Sequence, residues 1–463
     1  MPVPRLTDAT RSLTSARTPS YDRAALRTGV VHLGLGAFAR AHLAVYLDDL
    51  IAAGHHDVGM LGVSMRHTDV AAALEPQDDL YTLGVIDGDS IASRIVGSVL
   101  GVLHAPTQPQ AVRRALAAHD LRMISLTITE KGYCTDPATR RLDLAHPDVV
   151  HDLLHPEAPR SAPGQLLLAA RDRRATGAPP ITVLSLDNMP ANGRVLRSVM
   201  DEMASAVDPS LSEWVASHMY FPCSMVDRMV PATDEEFRAC IVALTGLDDA
   251  WPVKAEPYSQ WVIERDWAST MPPLAQVGVT LVDDVAPWET VKLRVLNGLH
   301  TAAAHFGLRH GLATVDEVAR DPDGRAFLDR LAAEIVEVLV PPSGLDVDEY
   351  VRATFARFTN AGLRHQCAQI ATDTSQKIPQ RLLGTLRERL ARDLPIDALA
   401  ETLALWVVAT PAAKDPLATL FAEIAQRVGS DPVALAAELL SVDRIFGDLA
   451  GDPRVRTAVT AHL

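Results

Sequence analysis

The sequence predicts an α/β fold, with a doubly wound parallel sheet in the N-terminal part and a mostly α-helical C-terminal part. Between residues 29 and 186, short apolar runs alternate with amphipathic stretches, which is typical of strands and helices that alternate along a parallel sheet. After about residue 288, apolar residues recur with the period of a helix and patterns typical of strands nearly vanish. We therefore predict domains at residues 1–285 and 286–463.

The predicted strands are short, apolar and bounded by turn residues. They are residues 29–34, 57–64, 121–129 and 181–186, with further extended segments at 80–86 and 91–99. The predicted helices carry their apolar residues on one face. They are residues 38–53, 69–74, 108–118 and 163–176, and in the C-terminal part 290–308, 315–340, 345–358, 376–393 and 395–410.

A glycine turn follows the first predicted strand. Gly34 and Gly36 stand between that strand and the first predicted helix. Glycine lets the backbone turn sharply and approach a pyrophosphate, whose charge then meets the helix N-terminus. Ala39 replaces the third glycine of the Rossmann fingerprint G-x-G-x-x-G. The turn predicts a dinucleotide site, although ordinary strand-to-helix turns share the pattern.

An acidic residue after the second strand of a dinucleotide-binding domain holds the ribose hydroxyls. Asp69 follows the second predicted strand, although it lies further along the chain than the usual spacing of about 20 residues. Asp69 favours NAD, whereas the nearby Arg66 leaves NADP open, because a guanidinium accepts a 2′-phosphate. Asp69 is equally suited to be the N-cap of the helix at 69–74.

Lys292, Asn297 and His300 lie on the first predicted helix of the C-terminal part. On a regular helix their side chains fall within an arc of about 140°, so one ligand can meet all three. Gly298, inside the same helix, costs about 1 kcal/mol relative to alanine. We expect a ligand or another backbone segment to approach closely at Gly298.

Composition excludes several classes of function. The chain has 43 Lys and Arg against 58 Asp and Glu, a net charge of −15, so it lacks the basic surface on which nucleic-acid binding depends. Its 4 Cys include no C-x-x-C pair, which indicates a reducing compartment. No apolar run reaches the roughly 18 residues of a membrane span. We predict a cytoplasmic monomer or small homo-oligomer with no nucleic-acid or membrane partner.

The segment from Lys292 to His300, K-L-R-V-L-N-G-L-H, closely resembles the K-x-x-x-x-N-G-x-H signature of the polyol-specific long-chain dehydrogenases, the mannitol dehydrogenase and fructuronate reductase family. Ala39 departs from the histidine that many members have. The resemblance implies a zinc-independent oxidoreductase that transfers a hydride between NAD and a sugar alcohol or sugar acid. Further blocks resemble the same family in the same order, at residues 34–42, 125–134, 185–193, 221–231 and 373–381.

The resemblance also implies roles at matching positions. Lys292 matches the general base, Asn297 and Asn188 match the pair that holds the alkoxide, and His300 matches a substrate-orienting histidine. Glu289 and Asp227 match positions on a proton relay. Burial and the nearby Arg294 are expected to lower the pKa of Lys292. The implied coenzyme contacts are Gly34, Gly36, Ala37, Phe38, Arg40 and Asp69, and the implied substrate contacts are Lys377, Arg381, Arg364 and Asp227.

Each of these residues, taken singly, also has an ordinary structural explanation. Lys292 is a solvated charge, Asn188 is a turn residue, and Glu289 is a first-turn acid favoured by the helix dipole. Asp227 forms an ion pair with its neighbour Arg228, and Lys377 and Arg381 form a basic helix face. The alternative of another class is a non-catalytic binding protein with a degenerate Rossmann domain. A zinc site at His146, His151 and His155 is disfavoured, because Pro156 ends the segment.

The sequence leaves the substrate open. The blocks at 125–134, 221–228 and 373–381 resemble the fructuronate reductase branch more than the mannitol branch. The residues Arg364, His365, Lys377 and Arg381 supply positive charge for a carboxylate. The sequence therefore favours D-mannonate and D-fructuronate, with D-mannitol and D-fructose, or another polyol such as D-arabinitol, as alternatives.

Overall fold

The computed structural model describes residues 3–136 and 139–463. The chain divides into two units, Met1–Ala286 and Pro287–Leu463. All strands belong to the first unit. In residues 287–463, every one of which is described, the only strand-like pairing is an isolated bridge between Thr314 and Gln366.

The strands are short and most of their residues are buried. They are β1 Thr28–Leu33, β2 Gly59–Ser64, β3 Tyr81–Asp87, β4 Ser90–Val96, β5 Val99–His104, β6 Met123–Leu126, β7 Ile181–Ser185, β8 Met219–Tyr220, β9 Ser224–Asp227, β10 Val253–Ala255, β11 Gln260–Glu264 and β12 Thr280–Val282. The helices that accompany them are α1 Ala37–Ala41, α2 Leu43–Ala52, α3 Asp69–Leu74, α4 Pro109–Ala117, α5 Pro147–Leu154, α6 Ala162–Thr176, α7 Asn192–Val207, α8 Pro209–His218 and α9 Glu235–Thr245.

The first unit is built on a parallel sheet of six strands in the order β5-β2-β1-β6-β7-β8. Helices α4, α6 and α7 pack on one face of this sheet and α2 packs on the other. The predicted doubly wound α/β fold is therefore confirmed. Because β1 pairs with β2 on one side and β6 on the other, the direction of winding reverses at β1. Ligands of such sheets bind outside the carboxyl ends of the strands at this reversal.

Two sheets of three strands complete the first unit, in the orders β10-β3-β4 and β12-β11-β9. The extended segments predicted at 80–86 and 91–99 form the antiparallel pair β3 and β4. The extended segment predicted at 91–99 does not separate β5 from β4, because apolar residues continue beyond Val96. The chain turns there at Gly97, whose amide donates a 2.9 Å hydrogen bond to the Asp48 carboxylate.

The second unit is helical. A π-helical segment, Lys292–Asn297, follows the short helix α10 Ala286–Val291. The remaining helices are α11 Gly298–His310, α12 Val315–Arg320, α13 Pro322–Val338, α14 Val347–Phe358, α15 Cys367–Ile370, α16 Thr374–Arg381, α17 Leu383–Ala391, α18 Asp397–Ala409, α19 Ala418–Val428, α20 Pro432–Leu439, α21 Asp443–Phe446 and α22 Pro453–Thr460.

Two predicted helices of this unit each divide into two helices near a proline. The helix predicted at 315–340 breaks at Pro322, which has no N–H to donate and instead starts α13 with Asp321 as its N-cap. The helix predicted at 376–393 contains Pro379, and it divides into α16 and α17 shortly afterwards.

No helix within residues 3–136 and 139–463 combines the length and the apolar character that crossing a membrane requires.

Asn192 holds the turn between β7 and α7. Its amide nitrogen lies 3.3, 3.1 and 2.9 Å from the carbonyl oxygens of Ser185, Asp187 and Ser224. Its amide oxygen accepts hydrogen bonds from the N–H groups of Gly193 and Ser224. Asn192 is fully buried, so water cannot replace these bonds. One side chain thus joins the carboxyl end of β7 to the start of β9.

We predict that Asn192→Ala lowers the free energy of unfolding by about 2–4 kcal/mol, because several buried backbone groups lose their partner. Urea unfolding followed by tryptophan fluorescence measures the change. Ser198→Ala, on the same helix α7, is the matched control and is expected to stay within about 0.5 kcal/mol of the parent. Equal stability of the two variants would contradict this role of Asn192.

Candidate active site

The predicted nucleotide turn lies at the carboxyl end of β1. Gly34 has φ +91°, and a Cβ atom at this position would lie 2.2 Å from the carbonyl oxygen of Thr127. A side chain is therefore excluded both by the backbone conformation and by the residue that follows strand β6. A Cβ atom at Gly36 would meet only the Gly34 carbonyl oxygen, at 3.9 Å, so the space over this residue is open.

A buried hydrogen-bond chain fixes the turn. The Thr127 hydroxyl donates to the Gly34 carbonyl at 2.8 Å, and His32 Nε2 lies 3.0 Å from the same hydroxyl oxygen. Because the Thr127 hydrogen is already used, His32 Nε2 carries a hydrogen and His32 Nδ1 accepts from Ser125 Oγ at 2.9 Å. Burial lowers the pKa of His32 to about 4, so the ring is neutral near pH 7.

The turn leads into α1, with Gly36 as the N-cap. The first amides of a helix have no intrahelical partner, and those of Ala37 and Phe38 therefore fit the pyrophosphate of a dinucleotide. The helix predicted at 38–53 is wrong at His42, where φ −118° and ψ −82° leave the helical region and separate α1 from α2. The His42 ring stacks on Phe38, with ring centroids 5.0 Å apart.

The structure corrects the prediction for Arg40. This residue is 1% exposed, and its guanidinium donates to the Trp251 carbonyl at 2.6 Å. The guanidinium also lies over the rings of Tyr81 and Trp251, while Tyr81 Oη donates to the Arg40 carbonyl. Arg40 therefore packs α1 onto β3 and the 251 segment, and its side chain is not available to a coenzyme.

Asp69 lies in the first turn of α3 and is exposed. The N-cap of α3 is Thr68, so the alternative explanation of Asp69 as the N-cap is wrong. Arg66 is also exposed, just beyond the carboxyl end of β2, and its carbonyl oxygen lies 3.3 Å from His104 Nε2. Both side chains are within the stretch that follows β2. The ribose contact of Asp69 stays a prediction.

Asn188 follows β7 and is exposed. The residue before it, Asp187, was missed by the sequence analysis. Its buried carboxylate accepts hydrogen bonds from the Thr129 N–H at 2.8 Å and Tyr133 Oη at 2.7 Å. Burial raises the pKa of Asp187, and these hydrogen bonds oppose that rise. Asp187 thus connects the end of β7 to the segment after β6. The sequence signal that could have identified this residue is an acid directly before Asn188.

Asp227 is the last residue of β9, buried, and paired in register with Gln260 of β11. The guanidinium of the adjacent Arg228 donates to the backbone carbonyls of Ala41 and Glu256. Arg228 therefore has a structural role of its own in the first unit. The relay role of Asp227 stays a prediction.

The second unit presents Lys292 and Asn297 at the two ends of the π-helical segment. The prediction of a regular helix at 290–308 is wrong here, so the arc calculated for a regular helix does not apply. π-Helical turns bond residue i to residue i+5 and occur often at functional sites. Lys292 and Asn297 are each only 8% exposed, so Lys292 is not a solvated charge.

Two buried polar atoms on this stretch have no hydrogen-bond partner among the described residues. They are Asn297 Nδ2 and His300 Nε2. A buried polar atom without a partner costs roughly 1–3 kcal/mol. Both atoms belong to consecutive turns of one helical stretch, so the unsatisfied groups mark a place for a polar ligand.

The Asn297 carbonyl is fixed from two sides. It accepts from the hydroxyl of Thr301 at 3.0 Å and from Arg381 Nη1 at 3.3 Å, and the same Nη1 donates to Thr301 Oγ1 at 2.9 Å. The carbonyl oxygen of Arg381 also lies 3.4 Å from where a Cβ atom of Gly298 would stand. The backbone of α16 therefore lies beside Gly298, but at an ordinary contact distance that a Cβ atom would tolerate.

These contacts change the interpretation of the two predicted substrate cations. Arg381 binds the helix backbone, and burial lowers its pKa to about 10. Lys377 Nζ donates to the carbonyls of Ile370 and Thr372 at 2.9 and 2.5 Å. Burial, followed by the charge of Arg381, lowers the pKa of Lys377 to about 8. Lys377 and Arg381 do not form a simple basic helix face, because the amine and the guanidinium both donate to backbone carbonyl oxygens.

Positive charge gathers around His300. Its ring stacks on Phe358 and lies 5.0 Å from the ring of His365. Burial holds the pKa of His300 well below its usual range, and the charges of His365, Arg381, Arg357 and Lys377 lower it further. His300 is therefore neutral near pH 7. Arg364, in contrast, is exposed and has a left-handed φ of 48°.

Glu289 lies in the first turn of α10, the position that the helix dipole favours. Arg294 forms a 2.8 Å ion pair with Glu388 of α17. The expected effect of Arg294 on Lys292 is therefore reduced, because a carboxylate offsets the guanidinium charge. The relay role of Glu289 stays a prediction.

The histidines considered for zinc have other contacts. His146 is the N-cap of α5 and accepts from the Asp148 N–H, while His151 Nδ1 lies 3.1 Å from Asp152. The rings of His151 and His155 are 4.8 Å apart. In the described ranges 3–136 and 139–463, no three His, Cys, Asp or Glu residues group as metal ligands.

Two family models match consecutive parts of the chain. The mannitol dehydrogenase Rossmann domain matches residues 28–276, and the mannitol dehydrogenase C-terminal domain matches residues 284–463. The chain belongs to the mannitol dehydrogenase family. The family resemblance seen in the sequence and the predicted enzyme class, an oxidoreductase, are confirmed.

Named relatives and solved structures agree with this membership. A mannitol 2-dehydrogenase of Cereibacter sphaeroides is 37% identical over 469 residues, 98% of this chain and 96% of the relative. The uncharacterized oxidoreductase YdfI of Escherichia coli K12 is 37% identical, with 96% and 93% covered. The ternary complex of Pseudomonas fluorescens mannitol 2-dehydrogenase with NAD and D-mannitol has TM-score 0.85 at 33% identity, with 99% and 96% covered. A substrate-free D-sorbitol dehydrogenase has TM-score 0.88 at 28% identity, with 99% and 97% covered.

We predict that His32 makes stability depend on pH. The folded pKa of about 4 is below the usual value of 6.5, so the unfolded chain takes up the proton first as pH falls. The contribution is complete above pH 6.5 and is lost between 6.5 and 4, a loss of about 3 kcal/mol.

Unfolding free energies of the parent and His32→Gln, measured in urea across this pH range, test the effect. The variant is expected to be less stable near pH 7 and to lose less stability on acidification. His56→Gln, which removes an exposed imidazole, is the control and is expected to keep the pH dependence of the parent. A slope that is the same in all three proteins would contradict the prediction.

Proposed function

We propose that the protein catalyses NAD-dependent oxidation of one secondary alcohol of an acyclic sugar alcohol, and the reverse reduction. The observation that carries the proposal is the pairing of a buried amine, Lys292, with two unsatisfied buried polar atoms on the same helical stretch, Asn297 Nδ2 and His300 Nε2. A base and two groups that bind an oxygen are what removal of an alcohol proton requires. In this proposal residues 1–285 bind the coenzyme and residues 286–463 bind the substrate.

The coenzyme site is assigned to the turn at Gly34 and Gly36 and to the first amides of α1. The open space over Gly36 and the fixed conformation of Gly34 fit a dinucleotide pyrophosphate. NAD, when bound, supplies the hydride acceptor. A ternary complex with NAD is known for the Pseudomonas fluorescens relative, and Asp69 favours the ribose hydroxyls of NAD over a 2′-phosphate.

Lys292 acts as the general base and accepts the alcohol proton at Nζ. Burial favours the uncharged amine, which is the form that accepts a proton. Asn297 then donates its free amide hydrogen to the oxygen on which negative charge develops. His300 is neutral, so it orients a substrate hydroxyl through Nε2 without adding a charge. Asn188 is proposed as the second amide, and Glu289 and Asp227 as a proton relay.

No step of this mechanism needs a metal ion, because Lys292 and the amide hydrogens supply the base and the charge stabilisation. The cytoplasmic location and the monomeric or small homo-oligomeric state stay predictions from the sequence.

The proposed substrate is D-mannitol or a similar polyol. Mannitol 2-dehydrogenases are among the relatives at 36–37% identity, and the predicted carboxylate partners Arg381 and Lys377 are already bonded to backbone oxygens. D-Mannonate is the second candidate. The cations whose charges reach His300 favour it, because they make the surroundings of this histidine positive.

We predict that Lys292→Ala lowers kcat by about 100- to 10,000-fold, because the general base is removed. Absorbance at 340 nm with NAD and D-mannitol measures turnover, and calorimetry measures the Kd for NAD. The Kd is expected to stay unchanged, because the assigned coenzyme residues are all in the first unit. Arg444→Ala, an exposed charge of the second unit, is the control and keeps the kcat of the parent.

Residual kcat close to that of the parent would refute the role of Lys292 as base. Loss of both turnover and NAD binding would indicate a folding defect. In that case Lys292→Met, which keeps the length of the side chain, repeats the test.

We predict that kcat/KM for D-mannitol exceeds that for D-mannonate by about tenfold or more, because the cations predicted to bind a carboxylate, Arg381 and Lys377, are bonded to backbone oxygens. Steady-state rates with D-mannitol, D-arabinitol and D-mannonate, each with NAD and NADP, make the comparison. A higher kcat/KM for D-mannonate would select the second candidate. No turnover of any polyol or sugar acid would support the non-catalytic alternative.

A further inference from the structure

The helical unit contains a cavity of about 810 Å³ that is lined by residues of α11, α15, α18 and the segment around Lys414. Its volume lies in the range of small-molecule sites, roughly 300–1,000 Å³. Lys292, Asn297 and His300 do not line this cavity. We refer to it as the His305 cavity.

His305 lies at the base of the cavity and is 2% exposed. Its Nε2 is 3.1 Å from Thr374 Oγ1, and the Thr374 hydroxyl donates to the Ala371 carbonyl at 2.9 Å. Because the hydroxyl hydrogen is already used, the Nε2 of His305 carries the ring hydrogen and Nδ1 is an acceptor. Nδ1 is buried and has no partner among the described residues. A buried acceptor of this kind requires a donor from water or from a ligand.

The rim of the cavity is positive. Arg309 and Lys414 line it and are exposed, and no acidic residue lines it. Within the described chain, neither cation forms an ion pair with a carboxylate. Arg309 lies four residues after His305 on α11, so the two side chains share one helix face about 6 Å apart at Cβ.

Part of the cavity lining is apolar. Leu405, Val408 and Ala409 of α18 and Ala371 contribute to it. An apolar wall with a few converging polar groups is typical of small-molecule sites. The lining therefore combines a buried acceptor, apolar side chains and two exposed cations.

We propose that the His305 cavity binds a small hydroxy acid with an apolar body. The hydroxyl donates to His305 Nδ1, the body packs on α18, and the carboxylate meets Arg309 and Lys414. A hydroxybenzoate, with its hydroxyl and carboxylate at opposite ends of an apolar ring, is a compound of this chemistry. The proposal does not depend on the proposed alcohol oxidation, because the residues that carry it are different.

Calorimetric titration of the full-length protein with 4-hydroxybenzoate, benzoate and phenol tests the proposal. Each of the last two probes lacks one of the two polar ends. We expect saturable binding of 4-hydroxybenzoate, with a Kd about tenfold lower than that of either partial probe. Benzoate and phenol binding as tightly as 4-hydroxybenzoate would overturn the proposal.

Variants locate the binding. Ala409→Trp fills the cavity and is expected to abolish 4-hydroxybenzoate binding. The double variant Arg309→Gln and Lys414→Gln is expected to raise the Kd for 4-hydroxybenzoate about tenfold and to leave that for phenol unchanged. Arg444→Gln removes an exposed guanidinium elsewhere in the unit and is expected to leave every Kd unchanged.

Absence of saturable binding up to about 10 mM would overturn the proposal. Unchanged binding in a folded Ala409→Trp protein would do the same, because the ligand would then lie elsewhere. If circular dichroism shows that Ala409→Trp does not fold, the double variant decides, since its changes lie at exposed side chains. Binding that the double variant leaves unchanged overturns the proposal.

Discussion

The carbonyl oxygen of Asn297 accepts hydrogen bonds from the Thr301 hydroxyl and the Arg381 guanidinium, and the geometry of the helical unit around Lys292 depends on this pair of bonds. This carbonyl belongs to the last residue of the π-helical segment, at the start of α11. Arg381 donates to the Asn297 carbonyl from the neighbouring helix α16, whose backbone also lies beside Gly298. The Asn297 side-chain amide is thereby held in place while its Nδ2 stays without a partner among the described residues.

The nucleotide unit uses the same principle with different groups. Thr127 reaches from one strand to the Gly34 carbonyl of the next, and a neutral buried histidine, His32, completes the bonding of that hydroxyl. In both units, a side chain from a neighbouring element binds the backbone of the residue whose position matters. Asn297 Nδ2 has no partner among the described residues, and the space over Gly36 is open. Rigid support of this kind suits a site that must be in place before its ligand arrives.

Sequence reasoning predicted the alternating fold correctly and proposed Lys292, Asn297 and His300 as site residues, because apolar periodicity and short motifs are local properties. It failed where distant parts of the chain decide the local geometry. The Asn297 carbonyl, at the end of the π-helical segment, is bonded by Arg381, which is more than eighty residues away in sequence. Arg40 was predicted to contact the coenzyme because it follows the glycine turn, but its guanidinium donates to the Trp251 carbonyl. His305 and Asp187 were overlooked because their importance lies in burial.

A π-helical segment contains one residue more than an α-helix needs to cover the same path. The number of residues between Val291 and Gly298 is therefore constrained as well as their identity. Loss of a single residue there would allow an ordinary α-helix along the same path, with better backbone bonding, but Lys292 and Asn297 would then be one residue closer in sequence. A deletion in this stretch would thus favour stability, because backbone bonding improves, at the expense of function, because the spacing of the site residues changes. We expect relatives with the same chemistry to keep the number of residues between these two positions, even where the residues themselves differ.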